Sequence, residues 1–165
     1  MDSRWSNFYV ATATAAATLT GLLFVAVALR PREIRTSGLM GGRARSAFYA
    51  FITVLLATLL ALFGTSSRWV GLAQLGLVAG VFALSAPYTV RAWRARTINY
   101  IRAVVYQAGL VMVAAAGAAR AVQGVRQANE VVLAIGVSML LAVALSNSWD
   151  LVLSYEAHPN SPPGD

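Results

Sequence analysis

Apolar stretches divided by short polar segments organise almost the whole chain, at residues 8–29, 47–63, 69–90, 103–119 and 131–153. Each is near or above the roughly 17–25 residues that carry a helix across a hydrocarbon core. The pattern therefore predicts an all-α integral membrane protein, a bundle of five transmembrane helices. Arg30 and Pro31 close the first stretch. Ser46 is placed to cap the second at its N-terminus, and "GTSSR" at 64–68 turns the second back on the third as a helical hairpin. The fourth stretch offers only 17 residues between Arg102 and Arg120, about 26 Å at roughly 1.5 Å per residue. It crosses if the flanking arginines extend their charged heads toward water; otherwise the bundle has four spans. Residues 1–153 are expected to form one membrane domain, and the polar, proline-containing tail at 154–165 a disordered cytoplasmic extension.

Composition agrees: 58% of the 165 residues are hydrophobic and 12% charged, against about 25% charged in a soluble domain. The net charge is +7 and all 13 basic residues are arginine. Nine follow the first and third stretches, namely Arg30, Arg32, Arg35, Arg43, Arg45, Arg91, Arg94, Arg96 and Arg102, while Arg4, Arg68, Arg120 and Arg126 fall on the opposite side. The preference of cytoplasmic loops for positive charge then puts the N-terminus outside and the C-terminus in the cytoplasm. Aromatic residues agree, with Trp5, Tyr9 and Trp69 at the outer interface and Tyr49, Tyr88, Trp93, Tyr100, Trp149 and Tyr155 near the inner one. The first stretch is read as a retained span and not a signal peptide, because its apolar run is long and its positive charges follow it. The nine arginines, with "GLMGGRARS" as a flexible loop among them, are expected to contact anionic lipid headgroups. Topology already requires that charge, so nucleic acid is not an expected partner.

Few polar groups lie inside the spans. "LSNSWDLVL" at 145–153 gathers Ser146, Asn147, Ser148 and Asp150. Glu130 and Asp150 stand 20 residues apart on one predicted helix, about 30 Å, so they bracket the hydrocarbon core. Asp150 is thereby an interfacial acid within range of Arg30, Arg91 or Arg102. Ser138, Ala142, Ser146 and Asp150 recur at every fourth position and share a face, either a packing seam or the lining of a vestibule. Thr12, Ala16 and Thr20, beside Ala13, Ala17 and Gly21, make one face of the first span small. Gly76 and Gly80 form G-x-x-x-G, and Gly109 and Gly117 lie two turns apart; small residues of this kind let helices approach closely in lipid. Gln74 and Gln107 are the amides inside the bilayer, expected to hydrogen-bond a neighbouring helix. No Asp, Glu, Arg or His falls in the middle of a span, which argues against a proton relay or an arginine voltage sensor.

Catalysis is not expected. There is no cysteine and no lysine, which removes thiolate chemistry and a Walker-type phosphate loop, and the single histidine, His158, lies in the tail. No metal or cofactor is expected. At "WSNFYVATATAAATLTGLLFVAVALRP", with Leu19 to Ala26 as an "LTGLLFVA" core, and at Asn147 to Leu151 with its "N-x-W-D-L" ending, the chain resembles a set of small, uncharacterised bacterial multi-pass proteins. The resemblance implies a bacterial inner-membrane location and transfers no site residues. The expected role is that of a small membrane subunit or accessory factor acting through helix packing, with itself or another membrane protein. The alternative is a homo-oligomeric channel or small-solute transporter lined by faces of the first and last spans.

Overall fold

The computed structural model describes residues 3–29, 38–63, 68–94, 100–123 and 127–153. They form α1 (Ser3–Ala28), α2 (Gly38–Leu62), α3 (Arg68–Arg94), α4 (Tyr100–Gln123) and α5 (Gln127–Leu153), with no strand among the described residues. All five helices, α4 included, are long and apolar enough to cross a membrane. A helix suits such sequences because it satisfies every backbone N–H and C=O within the segment, where hydrocarbon offers no other partner. The tail at 154–165 lies outside the described residues.

The helices outrun the apolar stretches that announce them. α4 has 24 residues in place of 17 and carries Arg102 and Arg120 inside its ends. α2 begins at Gly38, so "GLMGGRARS" is not a flexible loop, and Ser46 lies within the helix and does not cap it. Hydropathy registers only the apolar part of a helix, whereas a nucleated helix gains one hydrogen bond for each further residue it fixes. Ala44 is buried, which gives these early turns a packing surface as well.

α2, α3, α4 and α5 close a four-helix ring in which each packs on its two neighbours, and α1 lies outside against α2, just touching α5. Contacts across the ring fix the directions. The start of α3 meets the end of α4 at Gly71 and Gly117, and Ser46 near the start of α2 meets Asn147 near the end of α5. Tyr9 near the start of α1 meets Glu130 near the start of α5. Successive helices therefore alternate in direction, giving the bundle a Tyr9 end and an Asp150 end. Phe51 and Val54 of α2, Leu110 and Val113 of α4, and Leu133, Val137 and Leu140 of α5 fill the core.

Glycine sets the closest approaches. A Cβ on Gly71 would lie 2.5 Å from the Gly117 carbonyl oxygen and 2.6 Å from the Ala121 nitrogen. On the other flank of α4, a Cβ on Gly109 would come within 2.9 Å of Leu140 and 3.2 Å of the Gly136 carbonyl oxygen. Backbone atoms cannot step aside as a side chain can. Gly71→Ala should therefore force α3 from α4 and destabilise the protein by about 1–3 kcal/mol. Gly76→Ala and Gly80→Ala, whose Cβ positions meet nothing within 4 Å inside the bundle, should keep the monomer within about 0.5 kcal/mol of wild type. Thermal unfolding of the three variants in one detergent measures the difference.

Candidate functional site

Among the described residues, two ion pairs anchor polar clusters, one at each end of the α4–α5 hairpin. At the Tyr9 end, Arg120 in the last turn of α4 and Glu130 in the first turn of α5 face each other, ten positions apart in sequence. The Arg120 Nη2 donates to Glu130 Oε1 at 2.5 Å. The hydroxyl of Tyr9, arriving from α1, donates to Glu130 Oε2 at 2.6 Å and lies 3.2 Å from the Glu130 main-chain oxygen. Tyr9 is 0% exposed and Arg120 and Glu130 3% each. Trp5 and Phe8 close over the phenol ring, stacked at 6.3 Å and edge-on at 5.4 Å between centroids.

The cluster has one deficit. Arg120 Nε is fully buried and finds no acceptor among the described residues. The side edge of a guanidinium presents Nε–H and one Nη2–H in parallel, the fork that grips a carboxylate with two bonds. Here Glu130 gives that edge only one oxygen, because its other oxygen is held by Tyr9.

At the Asp150 end, Arg102 of α4 pairs with Asp150 of α5, its Nη1 bonded to Oδ2 and its Nη2 3.4 Å from Oδ1. These side chains are 32% and 25% exposed, so water shares their solvation. One turn earlier the buried Asn147 donates from Nδ2 to the Ser46 hydroxyl at 3.0 Å, tying α5 to α2. Each end of the hairpin thus has an arginine from α4 and an acid from α5, dry at one end and wet at the other.

Between the clusters, Gln74 of α3 is 0% exposed and donates from Nε2 to the Val113 carbonyl of α4 at 3.0 Å. Its Oε1 has no partner among the described residues. Gln107 is half-buried on α4. No metal-binding group of His, Cys, Asp and Glu occurs among the described residues. No protein-family model matches the chain, and neither a curated protein nor a solved structure matches it.

The remaining residues singled out from the sequence do not come together in one place. Thr12 is buried on α1 and Thr20 half-buried, each returning its hydroxyl to the carbonyl four residues back, Phe8 and Ala16. Gly21, Gly76 and Gly80 are exposed. On α5, Ser138 is exposed and Ser146 half-buried. Among the arginines, Arg45 is exposed and engaged in a further interaction. Arg30, Arg32, Arg35 and Arg96, together with the side chains of Arg43, Arg91 and Arg94, lie outside the described residues.

Neither Tyr9 nor the Arg120–Glu130 pair stands out in the sequence as a site, since each has an ordinary reading as a marker of the interface. The available signal was an arginine and a glutamate ten residues apart, each within a turn of the facing ends of two spans. Breaking a dry ion pair by removing one partner leaves an uncompensated buried charge and costs about 3–5 kcal/mol, against about 1 kcal/mol or less for an exposed pair. Glu130→Ala should therefore lower the melting temperature far more than Asp150→Ala. Replacing both partners, as in Arg120→Met/Glu130→Leu, should recover most of the loss.

Proposed function

We propose that this protein is a small integral membrane subunit that acts through helix packing, with the outer face of α3 as the surface on which a second copy packs. The observation that carries this reading is the exposure of Gly76 and Gly80, flanked on the same side by exposed Ala73, Ala79 and Ala83. Within the bundle, Gly71, Gly117, Gly109 and Gly136 bring helix backbones together. A matching stripe turned outward is suited to the same use between subunits, and G-x-x-x-G faces are self-complementary about a two-fold axis.

The alternative, a homo-oligomeric channel or small-solute transporter, draws support from the exposure of Ser138 and Ala142 on α5. Packing is the better supported of the two. Thr14 and Thr18 on the exposed face of α1 donate their hydroxyls to the carbonyls of Val10 and Thr14 at 2.8 and 2.9 Å. Those hydroxyl protons are already committed, so that face offers methyl groups and small side chains more than a wet lining. Catalysis is no part of the proposal.

In the proposed orientation the Tyr9 end faces outward and the Asp150 end the cytoplasm, in a bacterial inner membrane. The distribution of nine arginines against four supports this orientation. The resemblance in the first and last spans supports the membrane assigned. The arginines of the cytoplasmic side would meet anionic headgroups.

Native mass spectrometry of the protein extracted from its own membrane tests the assembly. Wild type should appear as a homo-oligomer, and Gly76→Leu/Gly80→Leu as a monomer with an unchanged helical signal, since both sites have open space within the subunit. An unaltered oligomer in the double variant would remove α3 as the contact. A stoichiometric second protein in place of the second copy would make the chain an accessory subunit of that partner.

A further inference from the structure

We propose that Arg120 is a small-anion site occupied in exchange with Glu130, so that one anion and one proton enter the Tyr9 end together. The proposal rests on the half-used edge of the Arg120 guanidinium: Nη2 bonds Glu130, and the parallel Nε–H is buried with no acceptor among the described residues. A buried donor on a cation without an acceptor is costly, and native proteins fill such positions with water or a ligand. An acceptor at that edge reaches two parallel N–H groups at once.

Charge decides what the ligand can be. Arg120 and Glu130 together are neutral, so an anion added to the intact pair leaves a net negative charge in a dry place, which is expensive. Protonation of Glu130 alone leaves Arg120 uncompensated, which is equally expensive. Proton on Glu130 and anion on Arg120 together restore neutrality. Each therefore raises the affinity for the other by the same factor. The groups that face Glu130 are consistent with this pairing. α1 supplies Tyr9 and α4 supplies Arg120. Among the described residues, α2 carries no titratable group from Ile52 to Leu62, where its sequence is apolar apart from two threonines. Once neutral, Glu130 can still accept from Tyr9, so α1 stays docked while the counter-charge of Arg120 changes identity. The ligand is a small monovalent anion of the halide class, since the side chains packed around Arg120 and Glu130 leave each of them only 3% exposed.

The test compares thermal unfolding of the purified protein in detergent in sodium bromide and in sodium gluconate of equal ionic strength, near neutral pH and at about pH 4.5. Wild type should gain stability from bromide specifically at the lower pH. Glu130→Gln, which mimics the protonated acid, should gain at both, with a rise in melting temperature of about 5–10 °C when bromide exceeds its Kd a hundredfold. Arg120→Met/Glu130→Leu should show no difference between the salts at either pH. Identical melting of Glu130→Gln in the two salts, or a bromide effect that survives in the double variant, would overturn the proposal. Should Glu130→Gln fail to fold, wild type at the lower pH decides: no difference between the salts there overturns the proposal equally.

Discussion

Close approach of α4 to the helix on either side of it is the constraint from which the rest of the bundle follows. In water, apolar burial would drive helices together, but hydrocarbon solvates leucine as well as another helix does. Association then depends on packing and on hydrogen bonds. Gly117 lets α3 come against α4, and Gly109 with Gly136 lets α5 do so on the other flank. With those spacings set, Gln74 reaches the Val113 carbonyl, and the two arginines of α4 meet the two acids of α5. α2 then closes the ring through apolar contacts and the Asn147–Ser46 bond.

The two ion pairs look alike in sequence and differ in physics. Arg102 and Asp150 share their charges with solvent, so their pairing adds little to stability. Arg120 and Glu130 have given up solvent, and their attraction mostly offsets the cost of that removal. What a dry pair supplies is definition: Glu130 accepts from α1 and from α4 while standing on α5. Three helices are thereby held in one register by a single carboxylate. α1, which otherwise packs on α2 alone apart from a slight contact with α5, has its place along the ring fixed at this point.

The helices were legible in the sequence because hydropathy dominates a chain of this composition, and the five apolar stretches each mark one helix. Their ends were not, since a helix continues past the apolar region where a turn still packs, as α2 does at the buried Ala44. Position along the helix could also be read: Glu130 and Asp150 lie near opposite ends of α5. Rotation about the helix axis could not. Gly71 and Gly76 are five residues apart on α3, yet one is pressed against α4 and the other faces outward. Periodicity groups residues onto a common face without saying which face turns inward. The same limit hid Tyr9, Arg120 and Glu130, whose depth suits the interface and whose direction takes them out of it.

Tyr9 and its acceptor are separated by 121 positions, and that distance is also an interval of time. A chain grows at about 5–20 residues per second, so the first helix waits roughly 6–24 s before the carboxylate that receives its hydroxyl has been made. Throughout that wait α1 depends on α2, the next helix synthesised and its main neighbour. α5 then brings the acid that joins it to α1, so α1 is made before the other four helices described and is among the last of them to be secured.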